Sequence, residues 1–150
     1  MRVVLQRVSK ASVTVDKQIV GDIKQGILIL LGIEQQDTTE DIQWLIGKII
    51  NLRIFDDENG VMNLSVQDIQ GELLLISQFT LQASTKKGNR PSYIRAAPPQ
   101  KAEYLYQLFS EMLHTCFKGK IAHGVFGADM KVELLNDGPV TIIIDSYLRE

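Results

Sequence analysis

The sequence predicts an α+β fold that is mostly β and contains two principal helices. Two patterns of apolar residues support this prediction. Several short segments rich in β-branched residues have the alternating or continuous apolar character of strands, whereas two longer segments repeat apolar residues at helical spacing. No internal repeat, low-complexity tract or long linker divides the chain, so residues 1–150 are expected to form a single domain.

Strands are expected throughout the first third of the chain. Val3, Leu5, Val13 and Val15 occupy odd positions of a run rich in β-branched residues. Side chains two residues apart lie on the same face of a strand, so this spacing predicts one apolar face. The apolar run at residues 27–33 fits a buried strand, because it is much shorter than the ~20 residues of a membrane span.

Two helices are predicted from start signals that precede apolar residues at helical spacing. The first is expected to begin at residues 38–41, where a threonine side chain can bind free amides of the first turn. Its buried face would contain Ile42, Leu45, Ile46, Ile49 and Ile50. The second is expected to begin at Pro98-Pro99 and to end near Gly119. Its apolar face would contain Ala102, Leu105, Leu108, Phe109, Met112, Leu113 and Cys116.

The remaining segments are expected to be strands. A short apolar strand at residues 72–76 leads into residues 77–81. Near the end of the chain, residues 130–134 alternate in one strand and residues 140–144 form a continuous apolar run in another. Residues 136–139, Asn-Asp-Gly-Pro, are interpreted as the turn that joins these two strands.

Cysteine usage and the opening residues both indicate a cytoplasmic protein. Cys116 is the single cysteine, so it cannot form an internal disulfide. Because it lies in an apolar helical pattern, we interpret it as a buried structural thiol rather than a nucleophile. Polar residues interrupt the opening MRVVLQRVSK, so no signal peptide is expected.

The charge distribution restricts how the protein can meet a nucleic acid. The formal net charge is −2, so the molecule as a whole is not built to attract polyanions. A local basic patch exists at residues 86–90, followed by Arg95. From composition alone we favour a solvated loop over an RNA contact.

Several common kinds of catalytic site are excluded by their missing motifs. The sequence has no GxxxxGK[ST] phosphate loop, no GxGxxG after a strand and no GxSxG nucleophile elbow. No pair of His or Cys residues has metal-ligand spacing, so no metal or cofactor is expected. His114 and His123 are interpreted as ordinary polar residues. Any catalysis must therefore use backbone groups, hydroxyls or the substrate itself.

Two segments resemble the signatures of the bacterial D-aminoacyl-tRNA deacylase family. Residues 77–81, Ser-Gln-Phe-Thr-Leu, match one signature, and residues 136–141, Asn-Asp-Gly-Pro-Val-Thr, match the other. Residues 1–8, 87–91 and 124–130 also agree with the family. The resemblance covers nearly the whole chain. It implies a barrel-like sheet and an enzyme that hydrolyses the ester bond of D-aminoacyl-tRNA while rejecting L-aminoacyl-tRNA.

The resemblance gives the Gly-Pro motif a role in reading chirality. It implies a cis Gly138-Pro139 bond and a homodimer in which this motif reaches the partner subunit's active site. The substrate's α-amino group would face the Gly138 and Pro139 carbonyls, and an L side chain would collide with the backbone. Glycine has no side chain to exclude, so hydrolysis of glycine mischarged on alanine tRNA is also implied. Arg7 would support the motif by a hydrogen bond, or else be a plain surface arginine.

The first signature is expected to carry the chemistry. The N–H groups of Gln78, Phe79 and Thr80 would stabilise the charge that develops on the ester carbonyl oxygen, and Ser77 would contact the substrate. Thr80 is either a nucleophile or a structural residue, because no base is placed in the sequence to activate it. The preferred mechanism uses water, assisted by the 2′-hydroxyl of the terminal adenosine.

The expected partners are the 3′ end of aminoacyl-tRNA and a second copy of the chain, with no membrane and no DNA. The residues that either line a pocket for the terminal adenine or belong to the core are Phe126, Ala128 and Met130. The residues that would contact tRNA phosphates are Lys86, Lys87 and Arg90. Two alternatives are a non-catalytic RNA-binding module and an esterase for small D-amino-acid esters. The lack of aromatic residues interleaved with the basic loop argues against the first alternative.

Overall fold

The computed structural model describes residues 1–149. The elements of this part of the chain, in order, are β1 Arg2–Val15, β2 Gln18–Ile23, β3 Gly26–Gly32, α1 Thr39–Asn51, β4 Phe55–Asp56, β5 Met62–Leu64, β6 Glu72–Ser77, α2 Pro99–Cys116, β7 Ile121–His123 and β8 Lys131–Asp145. A short 3₁₀ helix, Phe79–Gln82, follows β6. No helix among these residues is both long and apolar enough to cross a membrane.

The main sheet is organised around β1, which is long enough to pair along both of its edges. One edge pairs antiparallel with β8, and the other pairs antiparallel with β3 and then with β2. From β3 the sheet continues through the parallel strands β6 and β7. A Cβ atom on Gly21 of β2 would lie 2.7 Å from the His123 carbonyl oxygen of β7, so the sheet curls until its ends nearly meet. The predicted α+β fold, mostly β with a barrel-like sheet and two helices, is confirmed.

The parallel strands in the middle of the sheet are buried on both faces. In β3, Ile27 and Ile29 face a large core between the sheet and the two helices, while Leu28 faces a smaller core on the other side. Strands covered on both faces have continuous apolar sequences rather than alternating ones. This arrangement confirms the predicted buried strand at residues 27–33.

The first helix has the predicted start and the predicted buried face. Thr38 is the N-cap, and the Asp41 carboxylate accepts hydrogen bonds from the Thr38 N–H at 2.8 Å and from its hydroxyl at 3.1 Å. Burial opposes the charge on Asp41, but hydrogen bonds from Ser146 and Thr38 outweigh it and lower the Asp41 pKa. All five predicted apolar residues are buried against the large core.

The second helix begins where it was predicted to begin, but its cysteine is not buried as predicted. Pro99 occupies the first turn, where a missing N–H costs nothing. Leu105, Phe109 and Leu113 are buried, whereas Cys116 is exposed. The expectation of a buried thiol is therefore wrong. The helix ends at Cys116, and the next residue, Phe117, turns into the core in its place.

The end of the chain differs from the sequence prediction. One continuous strand, β8, replaces the two expected strands, and residues 136–139 do not form a hairpin turn. Gln6 pairs with Thr141 and Val8 pairs with Asn136, so residues 137–140 bulge out of the strand opposite Arg7. We refer to residues 137–140 as the β8 bulge. The strand resumes after it because β1 offers pairing partners on both sides.

Candidate active site

A cavity of about 490 Å³ opens where the parallel strands β3, β6 and β7 end. The segment after β6, the segment between β7 and β8, and the first turn of α2 form its walls. The residues predicted from sequence that line the cavity are Ser77, Gln78, Phe79, Phe126, Ala128 and Met130. The first signature and the expected adenine-binding residues thus meet in one place.

The turn after β6 presents backbone N–H groups at this cavity. Gln78 follows the end of β6, and its N–H still bonds to the sheet, since it donates to the Leu31 carbonyl of β3 at 2.8 Å. It is therefore not free for an ester oxygen, contrary to the sequence-based expectation. Phe79 and Thr80 begin the 3₁₀ helix, where the first N–H groups have no acceptor inside the helix. These two groups are the available donors of the turn. Phe79 lines the cavity, whereas Thr80 is not among its lining residues and follows directly after Phe79.

The Thr80 hydroxyl has a neighbour that orients it without activating it. The Gln78 side-chain amide donates a hydrogen bond to Thr80 Oγ1 at 2.6 Å. A nucleophilic hydroxyl needs a base that accepts its proton, and an amide nitrogen that donates cannot do so. This contact favours a structural role for Thr80 over the role of nucleophile.

Two side chains that no sequence pattern indicated support the turn after β6. Arg2 donates to the Leu81 carbonyl at 2.8 Å and pairs with Asp145 at 2.8 Å. Gln82 is fully buried and donates to the Gly32 carbonyl at 3.0 Å. Both contacts join residues far apart in the sequence, so no local pattern could have revealed them.

The wall opposite the turn is rigid because it packs against the core. The Phe126 ring lies 5.6 Å from the Tyr106 ring, and the Tyr106 hydroxyl donates to the Leu75 carbonyl at 3.0 Å. Burial raises the pKa of Tyr106 to about 12, so this hydroxyl keeps its proton at neutral pH. Met130 packs on the smaller core. Phe126 and Met130 therefore line the cavity and also pack against the cores, and a pocket for the terminal adenine stays a prediction.

The basic loop lies beside the cavity and ends at an aromatic residue. Mutual backbone hydrogen bonds of 2.8 and 2.9 Å between Ser84 and Ser92 close it, and Lys86, Lys87 and Arg90 are exposed along it; Arg95 instead approaches Glu34 at 4.0 Å. Tyr93 follows the loop directly and packs edge-to-face on Phe79, with ring centroids 5.1 Å apart. An aromatic pair therefore adjoins the loop, although the sequence interleaves no aromatic residues with it, because Phe79 is close only in space.

The Gly-Pro motif lies elsewhere in the chain. The Gly138-Pro139 peptide bond is cis, and neither residue is among those of residues 1–149 that line the cavity. Arg7 is buried, and it donates to the Asp137 carbonyl at 2.8 Å and to the Ile54 carbonyl at 2.7 Å. Arg7 therefore supports the β8 bulge and is not a plain surface arginine.

Known proteins match the chain along its full length. The family described as D-Tyr-tRNA(Tyr) deacylase matches residues 4–145. The chain belongs to this family. A D-aminoacyl-tRNA deacylase of Flavobacterium psychrophilum is 64% identical over 150 residues, covering 100% of both chains. A D-aminoacyl-tRNA deacylase of Bacteroides fragilis (strain YCH46) is 60% identical with the same coverage.

Two solved structures have the same fold as this chain. A structure described as "c-Myc DNA Unwinding Element Binding Protein" is 45% identical and has a TM-score of 0.93. The match covers 97% of this chain and 98% of that one. A probable eukaryotic D-amino acid tRNA deacylase is 16% identical with a TM-score of 0.81, and 95% of this chain covers 97% of it. The second likeness concerns the fold alone. Within residues 1–149 of this deacylase-family chain, no group of three or more His, Cys, Asp or Glu residues could hold a metal ion.

Proposed function

We propose that this chain hydrolyses the ester bond of D-aminoacyl-tRNA, releasing a D-amino acid and tRNA, and that it spares L-aminoacyl-tRNA. Family membership makes the chain a deacylase, a hydrolase that acts on the ester bond of aminoacyl-tRNA. The observation that carries the proposal is a pair of free N–H groups, from Phe79 in the lining of a cavity with an apolar and aromatic wall and from Thr80 next to it. The proposal treats residues 1–150 as one domain in the cytoplasm.

The proposed chemistry depends on backbone donors. The ester carbonyl oxygen accepts hydrogen bonds from the Phe79 and Thr80 N–H groups, and one such donor is typically worth ~10²–10³ in rate. A water oxygen attacks the carbonyl carbon while the 2′-hydroxyl of the terminal adenosine assists in moving its proton. The bond to the ribose 3′-oxygen then breaks, and that oxygen leaves with a proton as the 3′-hydroxyl. Neither a metal nor a cofactor enters this scheme.

The proposed stereochemical filter comes from a second copy of the chain. The β8 bulge is not among the residues that line its own chain's cavity, which supports a contribution to a neighbour's cavity instead. A homodimer is supported by apolar residues exposed along β8, among them Leu135 and Ile143, and by the edge of β8 that is unpaired among the described strands. In that dimer the Gly138 and Pro139 carbonyls would accept the substrate's ammonium group. An L side chain would then collide with the backbone, whereas glycine on alanine tRNA would be accepted.

We assign the terminal adenine of the tRNA to the cavity wall and its phosphates to the basic loop. The terminal adenine would stack within the wall made by Phe126, Ala128 and Met130, and Ser77 would contact the amino acid. The phosphates would meet Lys86, Lys87 and Arg90, whose contacts would be independent of tRNA sequence. Binding should therefore weaken as salt concentration rises.

The test compares the hydrolysis of three substrates at equal enzyme concentration. They are D-tyrosyl-tRNA, L-tyrosyl-tRNA and alanine tRNA mischarged with glycine. The proposal expects rapid loss of the first and third esters while the L-ester survives. Equal rates for the D- and L-esters would mean an unselective esterase. Uncharged tRNA should compete with the substrate, and failure to compete would favour an esterase for small D-amino-acid esters.

A second candidate function is binding to DNA. The 45% identical structure favours it, since that protein is described as a DNA-unwinding-element binding protein. We nevertheless predict no DNA partner for this chain. A single-stranded DNA copy of the tRNA 3′ end should compete at least tenfold more weakly than the RNA, because it lacks the 2′-hydroxyl groups. Equal competition would favour this second function.

A further inference from the structure

We propose that Tyr93 and Phe79 form a stacking platform for the unpaired nucleotides that precede the terminal adenosine of the bound tRNA. This inference rests on the proposed function and extends it, because it assigns a surface outside the cavity to a part of the RNA other than the ester and its adenosine. The pair has the position, the rigidity and the charged surroundings that such a platform requires.

The aromatic pair lies next to the cavity and is exposed to solvent. Phe79 lines the cavity, yet its side chain remains 57% exposed. Tyr93 is 38% exposed and lies on the far side of Phe79, with an angle of 70° between the two rings. A strand whose last nucleoside enters the cavity can therefore pass Phe79 and reach Tyr93 next to it.

The backbone around Tyr93 is fixed on both sides. The Ser84–Ser92 pair closes the basic loop immediately before it. The Ala96 N–H donates to the Tyr93 carbonyl at 3.0 Å, and the Ala97 N–H donates to the Ile33 carbonyl at 3.0 Å. A rigid aromatic surface loses little conformational freedom when a ligand binds, so its contact area contributes efficiently to affinity.

The charge around the pair favours a single-stranded nucleic acid as its occupant, and the proposed function supplies one as the 3′ end of the tRNA. Three exposed cations, Lys86, Lys87 and Arg90, lie in the loop that ends at Tyr93, and none forms an ion pair within the described part of the chain. Aromatic faces beside unpaired cations suit stacked bases joined by phosphates. An apolar protein segment would gain nothing from these cations.

The experiment compares two substrates that share the same ester. One is full-length D-aminoacyl-tRNA, and the other is D-aminoacyl-adenosine, which lacks the preceding nucleotides. For Tyr93→Ala, the ratio of kcat/KM on the tRNA to kcat/KM on the adenosine ester should fall about tenfold, mainly through KM, since a stacked base is typically worth that much. Tyr93→Phe keeps the ring and should keep the wild-type ratio. Tyr104→Ala, at an exposed tyrosine on α2, is the matched control.

Other outcomes would overturn the platform. Equal losses on both substrates would mean that Tyr93 only supports Phe79, and unchanged kcat/KM values on both substrates would mean that no nucleotide stacks there. A changed oligomeric state of Tyr93→Ala would identify a contact between protein chains instead. If the wild type hydrolyses neither ester, the proposed function fails. The platform is then judged by whether Tyr93→Ala weakens binding of uncharged tRNA about tenfold, with no effect on tRNA that lacks its unpaired 3′ nucleotides.

Discussion

The turn after β6 and the β8 bulge both interrupt regular structure, but they expose opposite backbone groups. The turn leaves the Phe79 and Thr80 N–H groups free, which attract a developing negative charge. The bulge carries the Gly138 and Pro139 carbonyl groups, which attract a cation. The turn lies at the cavity of its own chain, whereas the bulge does not.

This difference separates two tasks of the proposed enzyme. An ester carbonyl suits the turn and an α-ammonium group suits the bulge, so one region would carry the chemistry and the other the choice of enantiomer. Each region is held by its own arginine, Arg2 at the turn and Arg7 at the bulge. Variants of the two regions should therefore fail in different ways.

The largest effect is expected from Gly138→Val in the bulge. Gly138 has φ +133°, and a Cβ atom there would lie 2.8 Å from Val140 Cγ2 and 2.9 Å from Arg7 Nη2. The bulge must shift, and a displacement of about 1 Å at a site can cost ~10²-fold in rate. We expect about that loss in kcat/KM on D-aminoacyl-tRNA. Gly60→Val, at φ +73° in open space, is the control for backbone strain and should retain activity.

Arg7→Lys should weaken the same region through its support. Lysine keeps the charge but cannot reach both carbonyl oxygens as the guanidinium does, so the buried Ile54 carbonyl loses its donor. The free energy of unfolding in urea should fall by about 1–3 kcal/mol, and selectivity against the L-ester should fall with it. Arg53→Lys, at an exposed arginine, should change neither quantity. Unchanged selectivity in Arg7→Lys would break the link between the bulge and chirality.

Arg2→Ala tests the turn in the same manner. Without the bond from Arg2 to the Leu81 carbonyl, the free N–H groups lose part of their support. We expect kcat to fall about tenfold, because small errors in alignment are costly. The loss should be equal for D-tyrosyl and glycyl esters, since the turn does not read chirality. A change in the preference for D- over L-esters would contradict the division of tasks.

Acid should destabilise the fold through the histidine pair at β7. His123 in β7 stacks on His114 with centroids 5.1 Å apart, and burial together with His114 lowers the pKa of His123. The unfolded chain then binds the proton more readily, so stability falls as pH drops through the ordinary histidine value of about 6.5. The decrease in Tm between pH 7.5 and 5.5 should be smaller in His123→Gln than in wild type, and equal decreases would refute this assignment.

Local signals predicted much of this molecule, and long-range pairing explains most of what they missed. The cap at Thr38 and the apolar spacing after it are properties of neighbouring residues, so α1 was predicted correctly. Residues 136–139 have every local property of a turn, but β1 continues beside them and converts the turn into a bulge. The Gln78 N–H is likewise occupied by Leu31 from another strand.

The candidate site divides in the same way. The two signatures located the turn and the bulge because each is a run of adjacent residues. Tyr93 was missed because its partner Phe79 lies in a different segment, and Arg2 was missed because Leu81 and Asp145 are distant in sequence. Contacts between residues that are distant in sequence become visible only in the folded structure.

The most direct test of the divided site is a mixing experiment with two inactive chains. Ala128→Trp would fill the cavity but leave the bulge intact, and Gly138→Val would disturb the bulge but leave the cavity intact. If each site combines one chain's cavity with its partner's bulge, a mixed dimer contains one intact site. Refolding the two variants together should then restore D-aminoacyl-tRNA hydrolysis to a substantial fraction of the wild-type rate. A mixture as inactive as its components would contradict the division of the site between chains.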